Sequence, residues 1–375
     1  MRFAPTEEQS EFAAATRTVL ADTCPPSAVA ASWGGEVGRH TGLGDGDGRV
    51  RPAWDALVEM GVNAILVPEA NGGLGMSVDH LIGVLVECGR SALPDPVGDT
   101  AGVVASTLVA CARSDGARSD GGGVVGDALT SLVGGATVLS GFGAQPLVAS
   151  ASTADAFLLF SDEPTTRAGA AAGDGAGSRV VLVDATDVSV EALDSVDGSR
   201  ALGRVLQRAD AGTILAEGEA ATTLSGRAFD VAALVDAALL VGLGRAMIDM
   251  TVGYVGERRQ FGVPIGSFQA VKHHLADAAL AVQFAEPLVR YAAHVLSGGA
   301  QLNDRPVGVA VSAAKARSSA AAQVVTEVCL QCHGAIGYTV EADLHLYMKR
   351  AWALARSHGD AAFHLARVRN SLLTR

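Results

Sequence analysis

Two adjacent arginines, Arg258 and Arg259, close a long apolar run and lead into Gln260-Phe261-Gly262-Val263-Pro264-Ile265-Gly266-Ser267-Phe268-Gln269. Gly262, Pro264 and Gly266 break the first helix and set its exit. Ser267 is the expected N-cap of a second amphipathic run through Phe268, Val271, Leu275 and Ala276. Two fixed cations, a Gly/Pro turn and a helix N-terminus in one place can hold a phosphate or another anion. The same residues also suit a plain helix–helix corner with solvated arginines.

A second stretch, Cys329-Leu330-Gln331-Cys332-His333, has the C-x-x-C-H spacing of covalent haem attachment. That chemistry needs export. The opening residues, MRFAPTEEQSEFAAATRTVL, carry no apolar core after their early arginine, so a secretory signal is not expected. Two core-facing thiols on neighbouring helical turns are expected ahead of a haem, redox or metal role. The five cysteines (24, 88, 111, 329 and 332) are odd in number and thinly spread, which suits reduced thiols in a cytoplasm.

The elements that must position these residues follow from composition and pattern. A chain of 375 residues exceeds what one core serves, so two or three subdomains are expected. Its 49% hydrophobic and 18% charged residues supply an ample core, filled by Ala, Val and Leu because aromatics are few. A net charge of −12 argues against a nucleic-acid partner. No apolar span is expected to cross a membrane.

Residues 1–112 read as an α-helical domain. Thr6 and Gln9 make a capping box. Residues 31–51 read as a Gly/Asp-rich loop, and helical spacing resumes at Trp54, Leu57, Val58 and Met60. A turn at 68–75 precedes a helix opened by Ser77 and stopped by Gly89-Arg90 and Pro94/Pro96, and a further helix is expected over 100–112. Residues 113–225 read as a small β domain with strands at 136–139, 156–160, 180–183 and 188–190. Its two low-complexity tracts, 113–127 with a duplicated Ala-Arg-Ser-Asp-Gly and 167–179, are expected to be flexible hairpin loops on its rim. Residues 226–375 read as a helical bundle with helices at 230–259, 267–296, 306–331 and 340–373, whose surplus apolar face predicts oligomerisation.

ERRQFGVPIGSFQAVKHHLAD, Gln331-Cys332-His333-Gly334-Ala335-Ile336-Gly337-Tyr338 and Val67-Pro68-Glu69-Ala70-Asn71-Gly72-Gly73-Leu74-Gly75 together resemble the acyl-CoA dehydrogenase family. The resemblance spans nearly the whole chain and is strongest at its two ends. It implies an α+β fold: an N-terminal helical domain, a middle β domain and a long C-terminal four-helix bundle. It implies FAD, with Arg258 on the pyrophosphate, Gln260 and Phe261 packed around the cofactor and Gln269 reaching the adenosine. Gln331 and Gly334 would line the dinucleotide from a neighbouring subunit, so these residues would serve a partner's active site. Asp230 matches an acid near the substrate, or else is a helix N-cap. Ala335 replaces the second glycine of the family loop, which adds a methyl where the backbone meets the pyrophosphate.

Two departures set the expected function. The family's base is a glutamate whose position corresponds to His358, within Ser357-His358-Gly359-Asp360. Members that place the glutamate on the first bundle helix correspond here to Ala232 and Ala233. The Thr-Glu-Pro…Gly-Ser-Asp stretch that binds the isoalloxazine ring has no counterpart between Gly121 and Ala220. The nearest material is Leu139-Ser140-Gly141-Phe142-Gly143-Ala144. The chain therefore resembles the base-less subunit of heteromeric actinobacterial sterol-type acyl-CoA dehydrogenases, α2β2 assemblies in which a related chain supplies the glutamate. The implied partners are an acyl-CoA, that related subunit and an electron-transfer flavoprotein. A homo-oligomeric enzyme with His358 as base, a non-catalytic scaffold and an electron carrier through Cys329 and Cys332 are the alternatives.

Overall fold

The computed structural model describes residues 4–43, 45–113, 121–164, 171–172, 177–208, 211–299 and 306–373. Its first part is helical: α1 (Glu7–Thr23), α2 (Pro26–Ala31), α3 (Gly35–Thr41), α4 (Arg51–Glu59), α5 (Val78–Arg90), a π-helical turn at Gly98–Val104, α6 (Ala105–Arg113) and α7 (Gly121–Val133). Thr6 caps α1 through the expected reciprocal box with Gln9. Two expectations fail here. Gly35–Thr41 is a helix inside the span read as loop, closed by Gly42 in the left-handed conformation (φ 69°). Gly121–Val133 is also helical, and its Val125, Leu129 and Leu132 are buried at helical spacing. The rest of that tract, 114–120, lies outside the described residues, as does most of 167–179.

The β part comprises β1 (Val138–Phe142), β2 (Leu147–Val148), β3 (Ala156–Phe160), β4 (Glu163–Pro164), β5 (Ala171–Ala172), β6 (Arg179–Asp184), β7 (Val188–Ala192), β8 (Gly203–Gln207) and β9 (Thr213–Glu217). The main sheet runs β1-β3-β6-β9, parallel between β1 and β3 and antiparallel elsewhere, and faces a second sheet, β2-β8-β7. Strand β3 explains its own unbroken apolar sequence. Leu158 and Phe160 enter the main core, while Phe157 and Leu159 point the other way into the core shared with the second sheet.

The C-terminal part holds α8 (Gly218–Glu257), a hairpin of β10 (Arg259–Gln260) and β11 (Val263–Pro264), α9 (Gln269–Leu296), α10 (Val307–His333), α11 (Leu344–Arg356) and α12 (Ala361–Leu373). Helix α8 begins well before the expected start. It is long and apolar enough to cross a membrane, against expectation, yet 83% of its most apolar window is buried, as befits the central helix of a bundle. It crosses α5 at very short range. A Cβ on Gly242 would lie 1.9 Å from the Val86 carbonyl oxygen, and one on Gly89 would lie 2.2 Å from that of Leu239. Only glycines permit that crossing.

Three terminal expectations are corrected. Helix α9 starts at Gln269, after a 3-10 turn at Ile265–Ser267, so Ser267 is not its N-cap; the Ser267 hydroxyl donates to Pro264 O. The expected last helix is two helices. His358 (φ 48°) and Gly359 (φ 92°) turn the chain, and Asp360 accepts from the Phe363 N–H to start α12. Cys329 is buried, but Cys332 is only half-buried, so one thiol and not two faces the core.

Candidate functional site

The chemistry-bearing residues gather in two places. The first is a chamber of about 100 Å³ walled by the π-helical turn, β1, α8 and the end of α11. Ser140 from the Leu139–Ala144 stretch and His358, the expected counterpart of the family's base, both line it, as do Asp99, Arg200, Asp236 and Arg350.

His358 is held at its Nδ1 by Asp236 at 2.9 Å, and its Nε2 has no hydrogen-bond partner among the described residues. Its left-handed backbone is uncommon for a residue with a Cβ, and the α11–α12 turn imposes it. Asp236 is buried on α8, one helical turn beyond Ala232. Lys315 of α10 reaches the same place with no solvent exposure, its Nζ 4.0 Å from Asp236. That ammonium donates to the carbonyls of Leu354 (2.9 Å), Ala355 (3.2 Å) and Gly359 (3.2 Å). Burial pushes the pKa of Lys315 down, with Asp236 and Asp360 opposing.

Asp99 also lines the chamber and accepts from both the backbone N–H (2.9 Å) and the hydroxyl of Ser140. Burial pushes its pKa up to about 6, against the lowering effect of those bonds. The folded value lies above the ordinary 3.8, so the folded state holds a proton that the unfolded state has lost. Stability therefore falls as pH rises from about 4 to about 6. Asp99→Asn is expected to add about 1–3 kcal/mol at pH 7 and close to nothing at pH 4. Urea midpoints at both pH values check this, and equal offsets at the two would contradict it.

Asp230 is not at the mouth of a helix. It lies within α8, 8% exposed, with Arg367 donating to it at 2.8 Å and also to Ser312 Oγ at 3.1 Å. It therefore caps nothing, and it is not among the residues that line the chamber. Burial raises its pKa and Arg367 opposes that rise. His364, buried beside it, is pushed down to about 4 by burial.

The second place is the far end of α8. Arg258 closes the helix and Arg259-Gln260 pair with Val263-Pro264 across a two-residue turn. Phe261 (φ 54°) and Gly262 (φ 81°) both have positive φ, as a type I′ hairpin turn requires. Phe261 is consequently thrust out, 91% exposed. The Gln331–Gly334 stretch meets the same end of α8, since Tyr254 stacks on His333 with ring centroids 4.4 Å apart. Arg258, Gln260, Phe261, Gln269, Gln331 and Gly334 are all exposed. None of the five side chains has a hydrogen-bond or ion-pair partner among the described residues. This end and the chamber are far apart, because Asp236 and Arg258 stand about 33 Å from each other along α8 at 1.5 Å per residue.

Sequence reasoning missed Asp99, Arg200, Asp236 and Lys315. The first three lie in three different parts of the chain, and only the fold brings them to one chamber. Among the described residues no group of three or more His, Cys, Asp or Glu side chains could hold a metal ion.

Residues 222–373 match the profile of the acyl-CoA dehydrogenase C-terminal domain. FadE34 of Mycobacterium tuberculosis, an acyl-CoA dehydrogenase, is 33% identical over 85% of this chain, which spans 42% of FadE34's own length. IpdE2 of the same organism, also an acyl-CoA dehydrogenase, is 29% identical over 95% of this chain and 93% of its own. Residues 222–373 are an acyl-CoA dehydrogenase C-terminal domain, and the chain as a whole is similar to acyl-CoA dehydrogenases. The fold agrees: the M. tuberculosis ChsE4-ChsE5 complex superposes with a TM-score of 0.78 at 22% identity over the whole of both chains. Butyryl-CoA dehydrogenase of Megasphaera elsdenii gives 0.79 at 19%, again over both whole chains. Acyl-CoA dehydrogenases are FAD-dependent oxidoreductases acting on CH–CH bonds.

The two places differ in how they fit that cofactor. The hairpin end offers free guanidinium and amide donors and an exposed aromatic ring, a donor set suited to a diphosphate and its nucleoside. The chamber does not accept an isoalloxazine ring. It is smaller than the roughly 300 Å³ at which ligand pockets begin, and charged side chains already bonded to one another crowd it.

Proposed function

We propose that this protein is the base-less subunit of a heteromeric acyl-CoA dehydrogenase that carries out α,β-dehydrogenation of an acyl-CoA, with a sterol side chain or another bulky acyl group as substrate class. One observation carries the reading. Around His358, where the resemblance places the family's base, this chain has the small chamber with its Asp236–His358 bond, while the residues assigned to the dinucleotide stand free at the other end of α8. A separation of about 33 Å is more than one FAD bridges, so the two ends of a chain belong to different active sites.

In this reading Arg258, Gln260, Phe261 and Gln269, with Gln331 and Gly334, grip the dinucleotide of a flavin whose ring lies in a related subunit. That subunit supplies the glutamate. FAD, when bound, supplies the hydride acceptor. Exposed apolar side chains on the bundle, among them Phe261, Phe284 (64%), Tyr338 (70%) and Leu365 (59%), support assembly with further chains. An electron-transfer flavoprotein is the proposed acceptor.

A second reading rests on the Asp236–His358 bond. A carboxylate fixing Nδ1 leaves Nε2 free to take a proton, the arrangement of an oriented histidine base. The visible spectrum of the chain purified alone, with and without acyl-CoAs, separates the two. A colourless chain, or a flavin that no acyl-CoA bleaches, is expected. A bleaching flavin band that His358→Ala abolishes would replace the subunit reading with a self-sufficient enzyme.

A further inference from the structure

Two arginines that line the chamber, Arg200 and Arg350, have more donors than acceptors. Arg200 makes a single side-chain hydrogen bond, from Nη2 to Ser357 Oγ at 3.3 Å, although a guanidinium carries five N–H donors. Among the described residues no carboxylate lies within ion-pair distance of it, and its Nε is buried without a partner. Arg350, with a side chain only 7% exposed, donates from Nη1 to Asp197 (3.3 Å) and Ser199 (3.2 Å), and its Nε is likewise buried and unpartnered. Buried cations are ordinarily paired, and buried donors ordinarily find acceptors.

The carboxylates nearby do not fill this need. Asp197 is spoken for by Arg350 and the Ser199 hydroxyl, Asp236 by His358, Asp99 by Ser140, and Asp95 by Arg49 and the Val50 N–H. Apolar side chains line the chamber too, among them Val97, Val103, Val235, Leu239 and Leu354. A ligand that completes the chamber must therefore bring lone pairs to the arginines and hydrocarbon to the valines and leucines. The volume of about 100 Å³ matches roughly three waters at liquid density, or a short acid of comparable bulk.

We propose that the chamber is a binding site for a small monocarboxylate, seated by its carboxylate on Arg200 and the Nε–H of Arg350, with its short alkyl tail against Val235, Leu239 and Leu354. Arg200 is the specificity-determining residue, because its planar fork matches a carboxylate in two parallel bonds. The site goes beyond the subunit reading and does not depend on it: it needs neither flavin nor partner chain, only the residues of this chain.

The test is isothermal titration of the full-length chain with sodium butyrate and, separately, with butyramide, which keeps the shape and loses the charge. Butyrate is expected to bind at least tenfold more tightly than butyramide. Arg200→Gln is expected to erase that difference, with its circular dichroism unchanged. If Arg200→Gln does not fold, Ala149→Leu, which narrows the chamber from a partly exposed position, is expected to abolish butyrate binding. Equal binding of acid and amide, binding of neither, or butyrate binding that survives the folded variant overturns the proposal and leaves the chamber to water. A flavin spectrum in the same preparation bears on the subunit reading alone, so the two can fail separately.

Discussion

Lys315→Met will destabilise the protein by about 3–5 kcal/mol, the cost of removing one member of a buried charge arrangement and orphaning its partners. Methionine fills the space of the stem but returns none of the bonds. The Leu354, Ala355 and Gly359 carbonyls lose their donor at the end of α11, where a helix already leaves acceptors unsatisfied. The negative end of the helix dipole loses a cation, and Asp236 loses one at 4.0 Å. Calorimetry should find Tm lowered by about 4–6 °C. Lys315→Arg is not a rescue, because the site has no exposure and a planar fork is larger than an ammonium. A methionine variant melting with the wild type would show that backbone shifts satisfy these carbonyls unaided.

That prediction ties the bundle to the chamber. The lysine cage fixes the Ser357–Asp360 turn, and the turn places His358 against Asp236. Two helices and one irregular link are thus held by a single ammonium on a third helix. The same turn was in part legible beforehand. Gly359 followed by Asp360 is a stop and a start, and Asp360 does open α12. Apolar spacing that resumes beyond it hid the break, because periodicity reports which face is buried and not whether the backbone is continuous.

Other elements divide by the same logic. Strand β3 was legible to the residue because Ala156–Phe160 is apolar throughout and bounded by polar residues. Strands β8 and β9 were not, since Gly203-Arg-Val-Leu-Gln and Thr213-Ile-Leu-Ala-Glu mix faces and owe their pairing to neighbouring strands. Helix α7 was obscured by the glycines that open it. At the site, local order carried the hairpin cluster, whose residues are consecutive apart from Gln331–Gly334. The chamber's bonds, Asp236 to His358 and Asp99 to Ser140, join residues 122 and 41 apart, and no local pattern encodes them. That His358 stands where the resemblance places a glutamate was readable, and its bond to Asp236 was not.

The hairpin end yields the sharpest functional expectation. In an assembly of this chain with a related, glutamate-bearing subunit, Arg258→Ala should weaken FAD binding roughly 10- to 100-fold, the range of one hydrogen bond to a charged group. The Arg258 side chain has no partner among the described residues, so its removal leaves none of their groups unsatisfied and the bundle's Tm should stay put. The butyrate chamber, about 33 Å away along α8, should be untouched as well. His358→Gln gives the reciprocal pattern in the same assembly: FAD affinity unchanged, with the Asp236 contact altered. Fluorescence titration of the apo-assembly with FAD reads both variants. If Arg258→Ala keeps wild-type affinity while His358→Gln loses it, the flavin lies in this chain's own chamber and the two ends have been assigned the wrong way round. If the expected pattern holds, the chain contributes grip at one end and closure at the other, and catalysis requires a neighbour to supply what the chamber no longer holds.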